Sequence, residues 1–141
     1  MKYYLLFITL VVLTLIGCSE EEQDNTVTLQ GDSNNWQGEL YVEQLSSEEH
    51  LNERAEATLT YLGDHADDVH TIKLTTYTNW QERGALERRI DGLSSEGDIT
   101  NIYGNYGFWY VNDQGFETMI DIEWMEDDDE KRERIGFESI E

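Results

Sequence analysis

Residues 116–124 read FETMIDIEW, and the reading of this stretch decides the fold. Phe116, Thr118, Ile120, Ile122 and Trp124 share one parity, and Glu117, Asp121 and Glu123 share the other. A period of two belongs to a strand with one buried and one wet face. The same period recurs on both sides of it. Trp36, Leu40 and Val42 alternate with polar residues in WQGELYVEQL, with Gly38 in the same register. Ala55, Ala57, Leu59 and Tyr61 do so in AEATLTYLG, as do Ile72 and Leu74 in HTIKLTT.

Turn chemistry separates these runs. Asn112-Asp113-Gln114-Gly115 predicts a hairpin between strands over 106–111 and 116–124. Gly63-Asp64-His65 and Asp91-Gly92 mark further reversals, and 125–132 reads as a charged turn into a last strand over 133–140. Two stretches carry partial helical signals: a capping box, Ser46-x-x-Glu49, in 46–54, and Leu86 and Ile90 four apart in 79–90. Gly84 opposes a helix in the second, and strand or loop is the reading for both. Seven or eight short strands with few helices predict an all-β fold. The expected form is an antiparallel β-sandwich of immunoglobulin-like architecture over 26–141, without any Cys-Trp-Cys pattern.

Upstream, Met1-Lys2 supplies a positive start, and residues 3–16 form an uncharged, mostly apolar run. As a helix it would rise about 21 Å, short of the roughly 30 Å of a bilayer core, which marks a signal peptide and not a span. The run ends Leu15-Ile16-Gly17-Cys18, a pattern that resembles the bacterial lipobox. That resemblance implies a signal peptide over 1–17, a diacylglycerol on the Cys18 sulfur and anchoring at the outer face of the cell membrane. Thiolate chemistry requires cysteine at that point, and no second cysteine exists to form a disulfide. Residues 18–25, with Glu20-Glu21-Glu22, then read as an acidic linker that anionic lipid repels.

The chain of 141 residues carries 31 Asp and Glu against 9 Lys and Arg, a net charge of −22. Cleavage before Cys18 would remove Lys2 and bring it to −23. Such a balance excludes nucleic acid, whose phosphates demand Lys and Arg. It suits a cationic protein partner, and equally a general solvating role. Four Trp and eight Tyr, with regular apolar alternation, argue for a packed core over disorder.

Three stretches carry a further resemblance: Gly31-Asp32-Ser33-Asn34-Asn35-Trp36, Tyr61-Leu62-Gly63-Asp64, and Ile120-Asp121-Ile122-Glu123-Trp124 with the acidic residues after it. Together they resemble a group of small lipoproteins of Gram-positive bacteria. That group has a Gly-Glu-Ser-x-x-Trp opening, a Tyr-x-Gly middle and an Ile-x-Trp-x-Gly-x-x-x-Glu ending on a small all-β domain. Here Asp32 stands for the Glu, and Met125-Glu126 for the glycine turn. The resemblance implies an address and a fold, and no activity carries over with it.

Four constellations bear on chemistry. Gly31-Asp32-Ser33 with Asp67-x-x-His70 has the residue types of a serine hydrolase, but lacks the strand–helix alternation that such a nucleophile needs. A turn ahead of Trp36 is the plainer reading. Asp64, His65, Asp67, Asp68 and His70 are the densest ligand-like cluster and could hold zinc or calcium, though a solvated loop is the plainer reading. The run 126–130 is a second acidic cluster of the same kind. Among the aromatics, Tyr103, Tyr106 and Trp109 are candidates to stack on sugars of a cell-wall polymer or to anchor a protein, against core packing as the alternative. The sequence thus predicts no catalytic set. It predicts a lipid-anchored extracytoplasmic binding module, with an inhibitor or immunity-type protein masking a cationic partner as the alternative and a divalent-cation-binding surface protein third.

Overall fold

The computed structural model describes residues 25–46, 52–80 and 84–140. The leader, Cys18, all but the last residue of the linker and parts of the two ambiguous stretches lie outside the described residues. Eight strands follow one another: β1 (Thr26–Asp32), β2 (Trp36–Gln44), β3 (Glu53–Tyr61), β4 (Val69–Thr78), β5 (Leu86–Gly92), β6 (Asp98–Gly104), β7 (Thr118–Glu126) and β8 (Asp129–Ser139). A six-residue helix, α1 (Phe108–Asp113), separates β6 from β7, and a 3-10 turn, Ala66–Asp68, precedes β4. The fold is all-β and antiparallel, as the alternation predicts.

All eight strands belong to one sheet in the order β5-β4-β7-β8-β1-β2-β3-β6. Chain connectivity forces this sheet to curl. Its two edges, β5 and β6, are consecutive in sequence and joined only by residues 93–97. Six peptide steps reach about 20 Å at most, whereas eight flat strands would span roughly 34 Å. The ends must therefore approach, and side chains close the seam. Thr76 on β4 and Tyr103 on β6 share a hydrogen bond of 2.7 Å, and Arg88 on β5 donates to Asn101 on β6.

Within the sheet are two four-stranded halves, β1-β2-β3-β6 and β5-β4-β7-β8, joined where β1 meets β8 through two register pairs, Leu29↔Ser139 and Gln30↔Glu138. Gly31 makes that approach possible, because a Cβ there would run into the Gly136 carbonyl oxygen and the Ile135 side chain. Inner faces of both halves supply one core, including Trp36, Leu40, Leu59, Ile72, Leu74, Ile120, Ile122, Trp124 and Ile135. Immunoglobulin strand order is not reproduced, since β1, β2 and β3 are neighbours in simple sequence order.

Several local expectations change. The segment 108–113 is helical, not the first arm of a hairpin. The Glu53 side chain, only 2% exposed, accepts hydrogen bonds from the backbone of Gly107 (2.7 Å), Phe108 (2.7 Å) and Trp109 (2.8 Å). It supplies from a distant strand what an N-cap side chain would supply locally. At the other end Gly115 (φ 71°) donates to the Asn112 carbonyl and Phe116 to the Val111 carbonyl, the paired bonds of a Schellman stop. The glycine signal was real, but it ends a helix. Phe116 consequently precedes β7 and is exposed, outside the buried parity assigned to it. The Asp91-Gly92 pair lies inside β5, and the chain turns at 94–97 instead, where Gly97 donates to the Ser94 carbonyl. Finally, β7 and β8 meet in a two-residue turn at Asp127 (φ 51°) and Asp128 (φ 66°), so the last strand begins at Asp129 and not at 133. Both residues have the positive φ of a type I′ turn, which Asp tolerates better than most side chains.

Candidate functional site

The ligand-like loop is exposed. Asp64, His65, Asp67, Asp68 and His70 all face solvent around the 3-10 turn. His70 Nδ1 lies 2.9 Å from the Asp68 carbonyl oxygen, and His65 Nδ1 lies 3.9 Å from the Asp68 carboxylate. Among the described residues no group of three or more His, Cys, Asp and Glu is gathered as metal ligands. Ser33 belongs to the β1–β2 turn: its backbone N–H donates to the Trp36 carbonyl at 2.8 Å, and its hydroxyl lies 3.5 Å from the same oxygen.

The aromatic run is divided by the helix that replaces its strand. Tyr103 and Tyr106 are buried and pack on Phe108, with ring centroids 5.2 and 4.6 Å away. Trp109, the third candidate, is half-buried against the core. As placed, Tyr103 and Tyr106 form part of the core and not a stacking platform.

Stretches that stand far apart in sequence meet at one end of the core. Trp36 packs edge-to-face on Tyr61 (5.2 Å) and on Trp124 (5.5 Å), which links the two halves through one side chain. The Glu126 carboxylate accepts from the Tyr61 hydroxyl (2.9 Å) and Lys131 (2.6 Å). Lys131 first, then the Tyr61 hydroxyl and the Trp124 indole N–H (3.4 Å), hold the Glu126 carboxyl below its ordinary range despite its burial. Burial, and then the Glu126 bond, push the Tyr61 hydroxyl up to about 12. Nearby, Glu133 on β8 accepts from the backbone (2.9 Å) and side chain (2.6 Å) of Asn35. Burial opposes its ionisation, but these bonds prevail and its carboxyl lies below its ordinary value. This cluster holds the turn before β2 and the start of β8 in place. It presents no reacting group to solvent.

The two outer faces are where the molecule meets its surroundings. On β1-β2-β3-β6 the register sets out four rows: Thr26–Glu43–Arg54–Gly104, Thr28–Tyr41–Glu56–Ile102, Gln30–Glu39–Thr58–Thr100 and Asp32–Gln37–Thr60–Asp98. Five carboxylates thus share a face with one guanidinium. Among the described residues only Glu56 of these five has a cation near it, Arg54 at 3.9 Å. Within this grid two apolar side chains are open to water, Tyr41 at 41% and Ile102 at 58% exposure, on either side of Glu56. The opposite face is neutralised from within along its central rows. Its central rows read Arg89–Lys73–Glu123–Arg132 and Glu87–Thr75–Asp121–Arg134. Asp121, 5% exposed, accepts from Arg134 (2.6 Å) and Arg132 (2.5 Å). Arg134, followed by Arg132, holds the carboxyl down at about 2.

Composition gave the acidity but not its distribution. Only register shows that the unpaired carboxylates and the exposed Tyr41 and Ile102 share one face. No protein-family model, curated protein or solved structure matches this chain.

Proposed function

We propose that this chain is a lipid-anchored, extracytoplasmic binding module that docks a cationic protein partner on the outer face of β1-β2-β3-β6. The carrying observation is that face: five carboxylates to one guanidinium, with Tyr41 and Ile102 exposed near its centre. An apolar centre in a charged surround is the anatomy of a protein-docking patch. Carboxylates around it steer a cationic partner and repel anionic ones. The address rests on the Leu15-Ile16-Gly17-Cys18 pattern, with the membrane reached through a diacylglycerol on Cys18. We read the curled sheet as a sandwich in effect, its layers being the two four-stranded halves, which Trp36 and Trp124 bridge across the core.

The second reading, an inhibitor or immunity-type protein, uses the same face. It is favoured by the Tyr41–Glu56–Ile102 row, because exposed apolar groups beside charge suit a lasting complex.

The test is affinity for an alternating lysine–leucine peptide. Glu39→Gln, Glu43→Gln and Glu56→Gln together should weaken binding at least about tenfold, and so should raising the salt. A control on the opposite face, Glu87→Gln with Glu130→Gln, should leave binding unchanged. Equal losses in both variants would refute the assignment. For the address, mass spectrometry of the native protein should find Cys18 acylated and N-terminal. An intact leader would refute it.

A further inference from the structure

A cleft of about 440 Å³ opens on the other half of the sheet, beside an irregularity in β4. His70 pairs with Met125 and Lys73 with Glu123, so Thr71 and Ile72 both lie opposite Trp124. This is a β-bulge, two residues against one, a device that re-aims side chains and is common beside binding sites. Thr71 holds φ at 50°, a strained conformation for a β-branched residue that the surrounding sheet must impose. The apolar floor that the opening presents is Ile90 and Met125, both half-buried, with the core residues Ile72 and Trp124 beneath it.

Its polar rim is unusual in this molecule. Of the described cations, Arg54, Lys73, Arg88, Lys131, Arg132 and Arg134 each have a hydrogen-bonded or ionic partner. Arg89 alone among them has none, in a chain with 31 carboxylates. It lines the cleft and stands directly across from Lys73, a like-charge pair. Such a pair is unfavourable unless an anion lies between or beside its members. Lys73 has its anion in Glu123 at 3.1 Å, which also leaves Glu123 neutralised. Two residues along the same edge of β5, Asp91 also lines the cleft, with no cation among the described residues. Alternate residues of a strand are about 6.6–6.8 Å apart and point the same way. The rim thus offers one free cation, Arg89, and two free carboxylates, Asp91 and Glu130, and the Arg89–Asp91 spacing is one that a carboxylate and an ammonium of one small molecule can match, above an apolar floor.

We infer that this cleft binds a small zwitterion with an apolar body, an apolar amino acid or dipeptide with free termini. Arg89 takes the carboxylate as a two-pronged partner, Asp91 takes the ammonium, and the floor takes the apolar side chains. The volume falls in the range of small-molecule sites. The site is separate from the acidic docking face and does not depend on it.

The experiment is a calorimetric and NMR titration of the full chain with the dipeptide Leu-Leu, alongside N-acetyl-Leu-Leu and Leu-Leu amide. Leu-Leu should bind and shift the amides of β4, β5 and β7, and each blocked form should bind at least tenfold more weakly. Arg89→Gln should lower affinity for Leu-Leu at least tenfold yet leave the small affinity for the amide unchanged, and Asp91→Asn should do the converse with the acetyl form. Both residues lie on an exposed edge strand, so unchanged melting curves should show that each variant folds. Equal binding of free and blocked dipeptides, undiminished binding in either variant, or no binding at millimolar Leu-Leu would each overturn the assignment.

Discussion

On the outer face of β1-β2-β3-β6, five carboxylates accompany one guanidinium, whereas the central rows of β5-β4-β7-β8 set four cations among three carboxylates. The halves share a core and differ in what they do with charge. One satisfies its central carboxylates internally, Asp121 with two arginines, Glu126 with Lys131 and Glu123 with Lys73, and leaves Asp91 and Glu130 at its margin without a cation among the described residues. The other leaves its exposed carboxylates to the solvent or to a partner. A surface that neutralises itself gains fold stability, while one that does not keeps its field for association. The acidity of the chain as a whole hides this division.

The contrast can be broken most severely where the halves are held together. Trp36 contacts Tyr61 in one half and Trp124 in the other, so Trp36→Ala should cost about 3–5 kcal/mol in urea unfolding and loosen both halves. Next come two of the buried carboxylates, Glu53 and Asp121. Glu53→Ala strands three backbone N–H groups, two of them buried, and should cost about 3 kcal/mol, with the loss of helix α1 visible by hydrogen exchange. Asp121→Ala leaves two exposed arginines and the half-buried Tyr77 hydroxyl behind and should cost about 2 kcal/mol.

A pH scan sharpens the same comparison. Asp121 has its folded pKa depressed from 3.8 to about 2. Its contribution, about 2 kcal/mol, is therefore complete above pH 4 and lost as pH falls toward 2. Glu126 and Glu133 are shifted in the same direction and belong to the same half. Amides of β7 and β8 should lose protection first in acid. At the alkaline end Tyr61, with its folded pKa raised from 10.0 to about 12, contributes stability that is present below pH 10 and fades as pH rises toward 12. Simultaneous loss of all strands in acid would show that the halves do not differ in this respect.

Smaller effects follow. Glu39→Lys on the unpaired face should stabilise the fold by about 0.5 kcal/mol by relieving like-charge repulsion, while weakening a cationic partner. The exposed loop with Asp64, His65, Asp67, Asp68 and His70 should respond least. Calcium or zinc at about 1 mM should move the melting temperature by less than about 1 °C, and a larger rise would establish a metal site there.

How much of this was legible beforehand depends on whether a residue's role is set locally. Parity placed Trp36, Leu40, Ala57, Leu59, Ile72, Leu74, Ile120, Ile122 and Trp124 inside, because a strand's two faces are written in successive residues. The helix at 108–113 was not legible: its cap is Glu53, 55 positions before Phe108, and nothing local announces it. Asp121 sits on the wet parity yet is buried, because Arg132 and Arg134 close over it from β8. The charged turn expected over 125–132 is present but shrinks to Asp127-Asp128, because β7 and β8 pair right up to it. Neither the acidic face nor the cleft is a motif. Both are products of register, which a single sequence does not display.

The docking claim is tested most directly by mapping where a cation-rich partner lands. In an NMR titration with the alternating lysine–leucine peptide, the largest shifts should fall on Tyr41, Glu56, Ile102 and their neighbours in β1, β2, β3 and β6, and should vanish at high salt. Shifts centred on β4, β7 and β8, or spread evenly over the molecule, would contradict it.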